Sequence, residues 1–226
     1  MDKNKYISSN NFMQFIKILL FIKKMGYSGT LDPLAEGCLP ILTNKYTVLS
    51  NVVLKEKKRY VSRMELFKIT NTYDSDGLLI KIKKKCHLHI KITNIIKSIS
   101  NFVGKIYQHT PIYSATKQKG KSLYKFARKN LYVKIKKRKI SIFCIKLLNI
   151  KNNKIQILTE CSSGTYIRSL ISDIGYILSF GAFLSILKRD NIGLYRTKDF
   201  ININQLKLIK KNKKNKMYPN YFIFFK

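Results

Sequence analysis

Tryptophan is missing from the 226-residue sequence and acidic side chains are scarce: 11 Asp and Glu stand against 45 Lys and Arg, a formal net charge of +34. Such an imbalance repels cationic partners and favours a polyanion such as nucleic acid. The excess is mostly lysine, beside abundant Asn, Ile, Phe and Tyr, and AT-rich codons alone produce the same composition. Charge by itself therefore leaves RNA binding and codon drift both open. Cysteine is sparse as well. Positions 38, 86, 144 and 161 contain no C-x-x-C pair, which excludes a zinc ribbon or dithiol redox motif and fits a reducing, cytoplasmic compartment. Long apolar runs are lacking: Phe12 to Ile22 is broken by Lys17 and has no small-residue cleavage site, so it reads as neither a signal peptide nor a membrane span. No internal repeat is visible. What the chain does have is 45% hydrophobic residues, enough over this length for one domain with a sizeable core and too many for disorder.

Residues 26–37, GYSGTLDPLAEG, form an island with few lysines. Gly at each end, a Ser-Gly pair and Pro33 exclude a helix interior or central strand, and Pro33 pushes Asp32 toward extended geometry. The stretch reads as a shaped loop presenting one carboxylate, or more simply as a surface turn in which Asp32 bonds its own backbone. A second glycine-bearing loop, CSSGTY at 161–166, opens a helix whose first turn carries Arg168, and backbone amides there can bind a phosphate.

Apolar spacing predicts a helix over 10–24, with N-cap side chains at Ser8, Ser9 and Asn10 and a stop at Gly26. Residues 58–69 alternate as a strand and form a hairpin with the run beginning LLIKIK after TYDSDG. A short helix at 92–99, a strand at 102–107, a helix at 123–129, one or two strands over 132–149 and a strand at 155–160 follow. A helix from Ile167, a strand and turn in FLSILKRDNIGLY and a short helix at 204–209 complete the pattern. The mixed order predicts an α+β fold with a largely antiparallel sheet flanked by helices. KKNKKNK, 210–216, reads as a solvated linker before an apolar tail.

Three further signals carry less. In CHLH, 86–89, the two histidines share a strand face and Cys86 points the other way, which does not make a zinc site. Asp74 and Asp76 in TYDSDG suit turn chemistry. Cys161 has no histidine in a recognisable partner motif, so a thiol nucleophile is discounted.

Four stretches taken together resemble the TruB-type tRNA pseudouridine synthases: GYSGTLDPLAEG, KRY at 58–60, TPIYSATKQKGKSLYKFAR at 110–128 and CSSGTYIRSL at 161–170. Weaker matches lie in DKNKYISSNN, TYDSDG and LKRDNIG, so the resemblance spans about residues 2–206 in the family's order. It implies the pseudouridine synthase fold, with a catalytic domain over 1–207, an RNA-gripping insertion at about 110–135 and a basic linker with a short tail over 208–226. The last 20 or so residues are too few for the C-terminal RNA-binding PUA domain into which bacterial members usually continue. The implied reaction converts the T-loop uridine of tRNA (U55) to pseudouridine by breaking the base–sugar bond and rejoining the base through carbon. No metal or cofactor is needed. The chemistry asks for an ionised carboxylate, a cation that keeps it charged, and a surface that retains the detached uracil.

By the same resemblance Asp32 is the nucleophile, Arg168 its ion partner and Tyr60 the ring that stacks on the flipped base. Whether Asp32 adds to the uracil, attacks the sugar or removes a sugar proton stays open. Tyr60 and Leu187 also read as ordinary core residues, with Leu187 otherwise walling the pocket. Lys58, Arg59, Lys117, Lys121 and Arg128 are candidate phosphate contacts and equally plain surface charges, and Tyr113 lies in the third motif as a substrate contact. The implied partner is the T arm of tRNA, bound by a monomer. An alternative is a tRNA-binding folding chaperone without useful catalysis, and a third is a general basic RNA-binding protein. The chain departs from the family at Tyr27, usually His and expected to fill the space left by the flipped base, at Asn4, usually Pro, and at Tyr6, usually Gly. Glu36 is unusual so near Asp32, where like charge disfavours ionisation.

Overall fold

The computed structural model describes residues 1–82, 91–118, 120–129 and 131–211. The CHLH stretch and the apolar tail lie outside these residues. The chain forms two compact units, one built from Met1–Glu56 and the residues from Lys188 onward, the other from Lys57–Leu187.

In the first unit, the helix Ser9–Leu20 starts where the Ser8 hydroxyl accepts the Asn11 N–H, and it buries Phe12, Met13 and Ile16. It stops short of the expected residue 24. Phe21 adopts φ 54° and its N–H returns to the carbonyls of Ile18 and Lys17, so a left-handed cap ends the helix without waiting for Gly26. Strand Asp2–Lys3 runs antiparallel to Glu36–Cys38, which in turn lies parallel to the end of strand Ala182–Ile192, Lys188 opposite Glu36 and Arg189 opposite Gly37. This pairing leaves no room beside Gly37, where a Cβ would come within 2.3 Å of the Arg189 carbonyl oxygen at a φ of 105°. Met25–Tyr27 pairs with Ile41–Thr43. The 3-10 turn Asn44–Leu49 and helix Ser50–Lys55, which no clear apolar pattern announces, place Val53 against Cys38 and Ile192. Helix Ile203–Lys211 is capped reciprocally by Asn202 and Gln205, each accepting the other's backbone N–H.

The second unit is organised on antiparallel strands in the order Lys58–Leu66, Lys154–Cys161, Lys137–Lys151 and Gly104–His109, with Ala182–Leu187 beside the first. Alternation decides the faces: Tyr60, Ser62, Met64 and Leu66 point inward with Ile155, Ile157, Ile140 and Ile142. Helices Ile92–Ser100 and Ile167–Ile177 contribute Ile95, Ile99, Leu170, Ile171 and Ile174, each burial stabilising by about 1.5–3 kcal/mol. The expected strand over 58–69 is two strands. Phe67 takes φ 69°, ending Lys58–Leu66 and turning Lys68–Thr70 aside to pair with Leu79–Ile82. The region 132–149 yields a single strand, Lys137–Lys151, bent by two register shifts. Antiparallel pairing dominates, as expected, the Glu36–Cys38 pair being parallel.

Candidate active site

The loop bearing Asp32 is fastened at nearly every backbone turn. Asp32 and Pro33 open a β-turn closed by the Ala35 N–H on the Asp32 carbonyl at 3.0 Å, the positions at which Asp and Pro favour such a turn. Ser9 clamps the preceding residue, its hydroxyl donating to the Leu31 carbonyl at 2.8 Å and accepting the Leu31 N–H at 2.9 Å. The Tyr6 N–H donates to the Pro33 carbonyl at 2.7 Å. Lys3, fully buried, donates to the carbonyls of Asn4 and Ile7, each at 2.8 Å, and to Pro33 at 3.4 Å. Burial lowers the Lys3 pKa to about 8, against the opposing field of Asp32. Arg189, also fully buried, donates from Nη2 to the Gly29 carbonyl at 2.7 Å and from Nε to Cys38 at 2.8 Å, while the Ser28 hydroxyl donates to Ser50 at 2.7 Å. Leu31, Leu34 and Ala35 are buried, Asp32 half so. The loop is thus a rigid mount for a partly exposed carboxylate, more than a surface turn. Glu36 forms an ion pair with Lys5 at 3.6 Å, so its charge is answered locally. Tyr27 is half-buried in its short strand, and the left-handed φ of 63° at Tyr6 explains a glycine preference at that position.

In the second unit Arg168 is the centre. It is 4% exposed, and its Nη1 meets the Asp74 carboxylate at 3.2 Å. Nη1 also donates to the Thr72 carbonyl at 3.1 Å and Nη2 to the Tyr113 carbonyl at 2.9 Å. One guanidinium therefore ties the helix to two separate loops, and Tyr113 serves through its backbone. Asp74 has both the turn role read from sequence, accepting the Asp76 N–H and the Thr72 hydroxyl, and the ion pair, which the sequence does not disclose. The turn before the helix is set by Gln108, whose side-chain amide donates to the Tyr166 carbonyl at 3.0 Å and accepts its N–H at 2.9 Å. The Tyr166 hydroxyl shares a hydrogen bond with Thr116 at 2.7 Å. With the Tyr166 amide so engaged, that group is not available to a phosphate in this structure.

The remaining candidates sort by exposure. Tyr60, paired with Thr159, is buried at 8%, and Leu187 at 5%. Lys58 is only 4% exposed because it falls on the inward register of its strand, so it is not a plain surface charge. Arg59, on the other face, is half-exposed. Lys117, Lys121 and Arg128 are exposed, on the hairpin Lys117–Gln118/Lys121–Ser122 and on the helix Leu123–Arg128 that follows it, with Arg128 lying over the Tyr124 ring at 5.4 Å. Cys161 is fully buried. Among the described residues no group of three or more His, Cys, Asp or Glu is placed to hold a metal ion, and no helix is long and apolar enough to cross a membrane.

Among solved structures, the chain is similar to one from a Cbf5–Nop10–Gar1 complex, with a TM-score of 0.75 and 27% identity over 98% of this chain and 56% of that one. A chain of an H/ACA RNP bound to a substrate RNA containing 2'-deoxyuridine matches with a TM-score of 0.71 and 26% identity, over 98% and 55%. The fold is accordingly that of the pseudouridine synthases. Residues 17–167 match the model of the TruB family pseudouridylate synthase N-terminal domain. The sequence is 42% identical over 211 residues to tRNA pseudouridine synthase B of Wigglesworthia glossinidia brevipalpis, covering 93% of this chain and 64% of that protein. It is likewise 42% identical over 204 residues to tRNA pseudouridine synthase B of Mesoplasma florum, covering 90% and 71%. The chain belongs to the TruB family, and it spans roughly two thirds of the length of these relatives.

Proposed function

We propose that this chain isomerises the T-loop uridine of tRNA to pseudouridine, with residues 1–207 as catalytic domain, the segment 110–135 gripping RNA, and the protein acting as a cytoplasmic monomer. The observation that carries the reading is the Asp32 loop, a rigidly fastened turn offering one half-buried carboxylate in a chain of this family. Asp32 is the nucleophile, Arg168 favours its ionised form, and Tyr60 supports the extruded base by stacking, which contributes about 1–3 kcal/mol toward the cost of flipping. Asp74 is a positioning residue that fixes the direction of Arg168. Tyr27 and Leu187 border the base, and Arg59, Lys117, Lys121 and Arg128 neutralise phosphates of the T arm. The isomerisation is redox-neutral and consumes no water, so these side chains suffice in kind.

The test is to incubate the protein, and separately Asp32→Asn, with an unmodified tRNA transcript and to map pseudouridine by carbodiimide-blocked primer extension. Modification at the T-loop uridine by the parent alone is expected. An unmodified uridine in a tRNA that the parent nevertheless binds would overturn the enzymatic reading in favour of a binding protein.

A further inference from the structure

Tyr6 is a residue whose presence the fold does not explain. Its backbone is left-handed at φ 63°, a conformation that is uncommon for a bulky side chain and free of cost for glycine. Strain of this kind is ordinarily offset by packing, yet the Tyr6 side chain is 83% exposed. The strained geometry is also firmly imposed. The Tyr6 N–H donates to the Pro33 carbonyl at 2.7 Å, and buried Lys3 binds carbonyls on either side of it, at Asn4 and Ile7, as well as Pro33 itself. The turn that displays the ring is therefore riveted to the residue immediately after Asp32.

From this geometry we infer that Tyr6 is a substrate contact, its ring a stacking platform for a nucleobase of the RNA beside the reacting uridine. The inference rests on the functional reading given above and adds to it a residue that none of the four matched motifs contains. An exposed, backbone-anchored aromatic suits a flipped or splayed RNA loop, because every base has a π-face and stacking needs no further hydrogen-bond code. The short tether to Pro33 fixes the Tyr6 backbone relative to the Asp32 loop, so the ring is displayed from a point anchored next to the carboxylate's own turn. Codon drift toward tyrosine is the competing explanation, and it predicts a ring that binds nothing.

The two are separated by Tyr6→Gly, Tyr6→Leu and Tyr6→Phe, each assayed for affinity to a T-arm hairpin RNA, for pseudouridine formation and for thermal midpoint. Tyr6→Gly and Tyr6→Leu should weaken RNA binding about 5- to 140-fold, the range set by loss of one base stack, while Tyr6→Phe stays within about twofold of the parent. The midpoint of Tyr6→Gly should equal or exceed that of the parent, since glycine accepts the positive φ, so affinity falls while stability does not. A structural role would move both together, and that result overturns the inference. So does unchanged affinity in Tyr6→Gly and Tyr6→Leu, or a loss in Tyr6→Phe as large as in Tyr6→Leu, which would make the hydroxyl and not the ring the contact. A parent that binds the hairpin through Tyr6 but forms no pseudouridine refutes the enzymatic reading alone, whereas equal conversion and affinity in all four proteins refutes this one alone.

Discussion

Asp74→Asn removes one charge from a pair in which both side chains are about 5% exposed or less and lie 3.2 Å apart. At an effective dielectric constant near 20 the direct attraction at that distance is about 5 kcal/mol, most of it offset by the cost of taking two ions out of water. Loss of one partner is a different matter, since the surviving charge keeps its desolvation cost, and such changes destabilise by about 3–5 kcal/mol. The lower end applies here. An amide at position 74 retains an oxygen for the Thr72 hydroxyl and the Asp76 N–H, and Arg168 keeps the carbonyls of Thr72 and Tyr113. Urea unfolding should show a loss of about 3 kcal/mol, and the thermal midpoint should fall by about 6–12 °C for a chain of this size. Asp74→Leu combined with Arg168→Met should recover much of that loss, because no buried charge remains, and the double-mutant cycle should show strong coupling. Asp74→Asn with parental stability, or a cycle with additive losses, would refute the claim that this pair ties the helix Ile167–Ile177 to the Thr72 and Tyr113 loops.

Three shorter tests follow from other parts of the molecule. Burial depresses the Lys3 pKa to about 8 from its usual 10.5, so between those values the unfolded chain binds a proton that the folded chain has released, and stability contributed by this group rises with pH. Cys38, raised by burial to about 11 from 9.0, acts in the opposite sense over 9 to 11, so the informative quantity is the stability of the parent minus that of Lys3→Met, which should rise across pH 8 to 10.5; a flat difference would mean that Lys3 does not titrate there. Gly37→Ala should cost more than about 2 kcal/mol in urea unfolding, since its Cβ would lie 2.3 Å from the Arg189 carbonyl at a φ that alanine resists; parental stability would mean that the strand pairing there yields easily. Neutralising Lys121 and Arg128 should weaken tRNA binding across sequences and reduce the slope of log affinity against log salt by about 0.7–0.9 for each phosphate left without its cation, and an unchanged slope would remove them from the RNA surface.

Which of these features the sequence discloses depends on how far apart the interacting residues lie. The Ser8 cap, the inward alternation of Tyr60, Ser62 and Met64, and the shaped loop around Asp32 are governed by neighbours within a few positions, and periodicity and turn chemistry expose them. The clamps that make the loop rigid are not local: Ser9 reaches Leu31, and Arg189 reaches Gly29 across 160 positions. Periodicity names a buried face but not the partner on the other side of it, which is why Asp74 reads as turn chemistry alone. Yet one signal for Asp74 is present in the composition. With 45 cations against 11 acids, a carboxylate is the scarce reagent, and an arginine buried in the first turn of a helix needs one. The acids are placed accordingly: Asp74 on Arg168, Glu36 on Lys5, Glu65 on Lys154, Asp190 on the Thr197 hydroxyl and Asp199 on the Arg196 N–H. In a chain this basic, asking what each rare acid answers is a sharper guide than asking what each abundant lysine touches. The Asp32 loop shows the same division: its turn is legible from Asp32 and Pro33, whereas the clamps that secure it through backbone carbonyls and amides, by Lys3, Tyr6, Ser9 and Arg189, come from residues far along the chain.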